Sequence, residues 1–409
     1  MMKFSIVLAL AAQLAVAAPD VKTAGTANNQ FGLKLFNNTK KRTDKGNKFL
    51  SPVSAYLALS MLYNGAKGIT EKEMTEVLGL SGISRDEANE MNHEFMHALT
   101  GSKDYTLKIA NSAWVKDDFT LLPEFQEALS GFFHARATSL DFADPKTVDK
   151  INDWVKKATL DQKTKKPLIS EILKKIPPEA VLYLINATYF DAEWSNQFKA
   201  SDTRNQDFHV TAKKKVQVPM MTQTGRYKAV VSRGARTIEL PYKGQGASLV
   251  LIVPEGGNTV DKFAASLDEK AWAALTSNLD KAEYETYDVT IPKLKLEYED
   301  SLNEALIQQG MGSAFDKGAP ADLKGISDAP GHLYVSNVKQ KTFLEVDEKG
   351  TKAAAVTAVE VGLESIALPG TQFVVDKPYL LAIREKSSNA IVFLGSIQEP
   401  EGGKLPARE

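Results

Sequence analysis

The stretch EKGTKAAAVTAVEVGLESIALPG, residues 348–370, constrains the fold more than any other part of this 409-residue chain. Its alanine run favours helix, whereas Val356, Thr357, Val359 and Val361 suit a strand. Gly350 precedes the run, Pro369-Gly370 follows it, and no proline interrupts it. Such a segment is open to loop, helix and strand alike. A solvated alanine-rich loop is the plain reading of it.

Charge is nearly balanced, with a formal net charge of −1, which argues against nucleic acid or a membrane surface as partner. The N-terminus MMKFSIVLALAAQLAVAAPD has a positive start at Lys3, an apolar core from Phe4 to Leu10, and small residues at Ala15 and Ala17. It reads as a signal peptide cut after Ala17, since a cut after Ala18 would leave Pro19 beside the scissile bond. Its apolar run is too short to anchor the chain in a bilayer. A secreted, extracellular monomer is expected. With no cysteine, thiol chemistry and cysteine-bound metal are excluded, and a chain this long can bury its core without disulfides. Two glycosylation sequons occur, at Asn37 and Asn186. Asn37 lies in a polar stretch and is expected to carry glycan. Asn186 falls inside the apolar run VLYLINATYF, a buried strand by pattern, and is expected to stay bare.

No linker, repeat or low-complexity block divides the remainder. SPVSAYLALSMLYNGA begins with Ser51 as cap and Pro52 at the first helical position. TEKEMTEVLGL, TVDKINDWVKKAT and DSLNEALIQQG also read as helices. KIANSAWV, AVLYLINATYF, RTIELPY, SLVLIVPE, YDVTIPKLKLEY and IVFLGSI read as strands. Helices and strands mix without regular alternation, so a single α+β domain over residues 18–409 is the simplest architecture.

HEFMH, residues 93–97, matches the zinc-protease pattern, with His93 and His97 as ligands and Glu94 as general base. The helical wheel opposes it: Ala88, Met91, Phe95, Ala98 and Leu99 form the apolar face, and the histidines lie opposite, beside Asp86 and Glu90. No third histidine follows nearby, and Lys103 holds the position one protease class would need. An exposed helix face is the expectation. None of the five histidines lies near a G-x-S-x-G signature, and no phosphate-cradling glycine loop is present. No cofactor is implied. Three basic clusters, Lys163-Thr164-Lys165-Lys166, Lys174-Lys175 and Lys213-Lys214-Lys215, read as solvated faces, with a sulfated polysaccharide as the alternative occupant.

FLSPVSAYLALSMLYNGAKG, INATYFDAEW, VQVPMM, ADLKGI, EVDEKGTKAAAVTA and FVVDKPYLLAIR occur in this order, and together they resemble the serpin superfamily over residues 28–400. The loop wording resembles arthropod secreted serpins. The resemblance implies about nine helices around three β-sheets, with an exposed reactive-centre loop near the C-terminus. It also implies a suicide-substrate inhibitor of serine proteases rather than an enzyme. A non-inhibitory carrier or binding protein is the alternative, and a zinc metalloprotease the distant one.

In this family the loop is bait first and an inserted strand afterwards, which accounts for the ambiguous stretch. By strand alternation Thr351, Ala353, Ala355, Thr357, Val359 and Val361 would face the core, and Lys352, Ala354, Val356, Ala358 and Glu360 the outside. Gly350 would let the hinge bend. Counting as the family counts, the scissile bond is Glu364-Ser365, fourteen residues beyond Gly350. A Glu364 bait asks for a protease with a basic or polar primary pocket; cleavage after Leu363 would suit elastase- or chymotrypsin-like enzymes. Ser51, Ser54 and Asn186 match the family's polar cluster beneath the opening sheet, with Gln340 in place of its usual histidine. Trp194 matches the tryptophan where insertion begins, and Glu348 with Lys293 a hinge ion pair.

Overall fold

The structure is a computed structural model that describes residues 19–402, apart from 41, 162–163, 319–320, 330 and 352–369. The signal peptide, Leu363, the bond Glu364-Ser365 and the hinge residues Ala353, Ala354 and Ala355 therefore lie outside the described residues.

The helices are α1 (Val21–Asn38), α2 (Pro52–Tyr63), α3 (Gly68–Val77), α4 (Arg85–Thr100), α5 (Pro123–Phe133), α6 (Lys146–Ala158), α7 (Val260–Ala265), α8 (Glu269–Lys281) and α9 (Asn303–Gln309). The strands are β1 (Lys48–Leu50), β2 (Tyr105–Lys116), β3 (Arg136–Leu140), β4 (Leu182–Glu193), β5 (Arg204–His209), β6 (Lys215–Ser232), β7 (Ala235–Pro241), β8 (Ala247–Pro254), β9 (Glu285–Pro292), β10 (Leu294–Ser301), β11 (Asn337–Val346), β12 (Gly350–Thr351), β13 (Thr371–Val374), β14 (Tyr379–Glu385) and β15 (Ile391–Ile397).

One sheet has six strands in the order β10-β11-β12-β4-β2-β3. The other nine strands join through β6, whose 18 residues are long enough to serve two layers. Its first part pairs with β5 and β9, and its last part with β7. Counted this way the chain is an α+β fold with three sheets, as the resemblance implied.

All of α2 is buried, and a helix apolar on every side belongs in the middle of a fold. It contacts β15 as well as β4 and β2, so it lies between the sheets. Ser51 caps it, accepting from the Ser54 amide at 3.3 Å, with Pro52 at the first helical position.

Two local expectations need correction. The helix expected at Thr70 starts earlier, at Gly68, with Lys67 as an N-cap that makes no side-chain bond. Thr70 is instead buried, and its hydroxyl accepts from the Asp322 amide at 3.0 Å. YDVTIPKLKLEY is not one strand: it breaks at Lys293 into β9 and β10, which belong to different sheets. At the break the Lys293 amide donates to Pro219 and the Lys295 amide to Glu401. These backbone anchors turn the chain between layers.

Candidate functional site

The six-stranded sheet is open at one end and shut at the other. At the open end β12 sits between its neighbours, with Thr351 opposite both Val346 of β11 and Ala192 of β4. At the shut end β4 and β11 pair directly in parallel, from Tyr183↔Asn337 to Thr188↔Thr342.

The open end is built around Trp194 and Glu348. The Trp194 indole donates to the Asp347 carbonyl at 2.9 Å and its backbone amide donates to Lys349 at 2.9 Å. Its ring stacks on Tyr242 at 4.7 Å, and the Tyr242 hydroxyl bonds the Thr351 hydroxyl. Thr351 is fully buried there, so its side chain already faces the core. Gly350 is needed for space rather than for an unusual backbone angle. A Cβ there would stand 2.0 Å from the Ala192 carbonyl oxygen. Tyr242 was missed by sequence reasoning, because nothing in RTIELPYKG distinguishes its tyrosine from a core residue.

Glu348 accepts from Lys293 at 2.7 Å and from the Thr203 hydroxyl at 2.8 Å. Burial works against its ionisation, but the Lys293 contact, its own backbone amide and Thr203 outweigh that and hold the carboxyl below its ordinary value of 4.5. A depressed carboxyl stabilises the fold above its ordinary value, and this stabilisation is lost as pH falls through the lower folded value. In thermal melts the advantage of the wild type over Glu348→Gln should therefore shrink on acidification below pH 4.5. An advantage that stays constant into strong acid would refute this.

Beneath the shut end lies a second polar cluster. Gln340 donates to Asn186 at 2.9 Å and to the Ser51 carbonyl at 3.0 Å, and it accepts from the Ser51 amide at 3.0 Å. Asn186 donates to the Ser54 carbonyl and to Asn111. Ser51 also donates to the Val392 carbonyl at 2.8 Å. These contacts tie α2 to both strands of the closed ladder. Asn186 is fully buried and its amide is engaged, which leaves no room for a glycan in the folded chain, whereas Asn37 is exposed on α1. Asn111 was also missed; it becomes visible only through the register that sets it opposite Asn186.

The HEFMH segment lies on α4, with Glu94 and His97 exposed and His93 half-buried. The expectation that no third histidine is near needs correction. Packing of α4 against the end of α5 brings His134 alongside both, with ring centroids 5.6 Å from each. Of the basic clusters, Lys165, Lys166, Lys174 and Lys175 are exposed, while Lys214 pairs with Glu399 and Lys215 with Asp207 at 2.6 Å. No helix among the described residues is long and apolar enough to cross a membrane.

A family model described as serpin (serine protease inhibitor) matches residues 26–400. Intracellular coagulation inhibitor 1 of Tachypleus tridentatus is 34% identical over 93% of this chain and 89% of its own length. The thermophilic serpin tengpin in its native state superposes with a TM-score of 0.82 at 32% identity, covering 91% of this chain and 94% of its own. Human thyroxine-binding globulin superposes with a TM-score of 0.80 at 26% identity, covering 93% and 99%. Relatives of similar identity include proteins of Tachypleus tridentatus, Methanosarcina acetivorans and Homo sapiens, so they assign no lineage. The chain belongs to the serpin family.

Proposed function

We propose that this chain is a secreted suicide-substrate inhibitor of serine proteases, which traps its target when the cleaved loop enters the six-stranded sheet. One observation carries the reading. Val346 and Ala192, the two neighbours of Thr351, are offset by 154 positions, and every pair of the closed ladder from Tyr183↔Asn337 to Thr188↔Thr342 has the same offset. A strand continuing from Thr351 would stay in register with both neighbours down to Glu360, which would meet Tyr183 and Asn337. Insertion then needs β4 and β11 to part sideways, with no sliding.

That register carries the alternation onward from buried Thr351 to Ala353, Ala355, Thr357 and Val359. It sets Thr357 directly between Asn186 and Gln340. Parting the strands breaks the Gln340–Asn186 bond, and a hydroxyl arrives where the two amides lose each other. An apolar residue there would leave buried polar groups unpaired, at a cost of about 1–3 kcal/mol.

Glu364-Ser365 serves as the scissile bond in this reading. The target then presents a basic or polar primary pocket, because trypsin-like pockets carry an aspartate that repels a carboxylate. Glu364→Arg should create an inhibitor of trypsin-like enzymes, seen as an SDS-stable complex and a released fragment beginning at Ser365. In the wild-type chain, a released fragment beginning at Glu364 instead of Ser365 would move the bait to Leu363 and the target to elastase- or chymotrypsin-like enzymes. Absence of any complex with the arginine variant would sink the trapping mechanism. Secretion rests on the apolar leader and is checked by a mature N-terminus at Ala18 in culture medium. The polysaccharide reading is retained for the exposed lysines Lys165, Lys166, Lys174, Lys175 and Lys213.

The second reading, a non-inhibitory carrier, is favoured by a cavity of about 210 Å³ beside Trp194, bordered by Arg226, Tyr227 and Tyr284. Binding of an aromatic ligand there, together with no complex against a protease panel, would select it.

A further inference from the structure

We propose that His93, His97 and His134 form a binding site for a divalent transition-metal cation, independent of the loop and of the inhibitory reading. Each ring offers one nitrogen, and these three nitrogens lie within 4.8 Å of one another. His93 and His97 are one turn apart on α4, with ring centroids 4.5 Å apart. His134 is held in place by the end of α5. It is the C-cap in the left-handed conformation, φ 47°, and its backbone amide is bonded to Leu129.

The tautomer of His93 suits a ligand. Its Nδ1 lies 3.0 Å from the Phe132 carbonyl oxygen. A carbonyl only accepts, so Nδ1 carries the proton and Nε2 keeps its lone pair. A backbone carbonyl on the far nitrogen is the usual outer support of a metal-bound imidazole. Phe132 and His134 are two residues apart, so the segment that orients one ligand also supplies another. Glu90 and Glu94 are exposed on α4 one turn before His93 and His97, and their charge attracts a cation.

Three imidazoles and no carboxylate among the ligands select zinc, copper or nickel over magnesium or calcium. Zinc–nitrogen bonds of about 2.0–2.1 Å in a tetrahedron bring ligand nitrogens to roughly 3.3 Å from one another, so the rings have to close by up to about 1.5 Å. Exposed His97 and His134 can make that move by side-chain rotation. Because they are exposed, the fourth position faces solvent. Bound metal would fasten α4 to the corner from which β3, an edge of the six-stranded sheet, departs.

Calorimetric titration of the untagged, chelator-treated full chain tests this. Zinc chloride should bind at one ion per chain and raise the melting temperature, and magnesium chloride should do neither. His134→Asn, chosen because asparagine accepts the left-handed backbone, and His97→Gln should each weaken zinc binding about tenfold or more. Their metal-free melting temperatures should match the wild type, which separates lost ligation from lost folding. Replacing the remaining two histidines, His209 and His332, by glutamine should change nothing. Zinc binding that survives His134→Asn undiminished, or no binding at millimolar zinc, overturns the proposal.

Discussion

Nicking the loop near Glu364 with a protease that escapes trapping should raise the melting temperature by about 10–15 °C. Residues 351–360 would pair on both sides, against β4 and β11, where the closed ladder holds only six register pairs. The gain is about ten ladder bonds, each worth about 0.5–1.5 kcal/mol net, or on the order of 10 kcal/mol. Melting entropy is about 2.1 cal/mol/K per residue, close to 0.8 kcal/mol/K for the mature chain, so the stabilisation converts to about 12 °C. Burial of Ala353, Ala355 and Val359 adds in the same direction. Calorimetry of intact and nicked protein decides the matter, and equal melting temperatures would remove insertion from the account of this chain.

Thr351→Arg should abolish trapping and leave a substrate that is cut and released. The position is fully buried in the uncleaved chain, against Tyr242 and beside the Trp194 stack. An arginine there would be driven against the Tyr242 and Trp194 rings, and a buried charge left unpaired costs several kcal/mol at least. Expelling β12 avoids that cost, so the variant should fold with its hinge outside the sheet. The nicked variant should then fail to gain the thermal stability expected of the nicked wild type. Two readouts therefore move together: the SDS-stable complex disappears, and the melting temperatures before and after cleavage converge. A variant that still traps its protease would show that Thr351 is not the first inward position.

Much of this was legible in the sequence where a local rule had no competitor. Ser51-Pro52 announced α2 because cap and proline agree with the apolar run that follows. Glu348 and Gln340 were picked out only through resemblance; no periodicity points to them. β11 was not read as a strand, because NVKQKTFLEV places Lys339 and Lys341 in a strand and the pattern looks exposed. In the fold those lysines pair with Glu299 at 2.6 Å and Glu297 at 2.7 Å of the neighbouring β10. The break at Lys293 was hidden because both halves of YDVTIPKLKLEY have strand propensity, and the backbone bonds that divide them come from distant segments. His134 was invisible for the same reason: 37 residues separate it from His97, and only the packing of α4 on α5 brings them together.

The shared register has a consequence for time rather than for energy. Since no sliding is required, the barrier to insertion is the parting of a short ladder and of the polar contacts that clasp it. On the proposed mechanism the uncleaved fold would persist because that parting is slow, and its durability would be a half-life. Its apparent melting temperature should drift with heating rate, and prolonged warming without any protease should convert part of the sample into a more heat-resistant, uncleaved form. Loosening the clasp by Gln340→Ala should hasten that conversion far more than it lowers the stability of the nicked molecule, in which β4 and β11 would no longer touch.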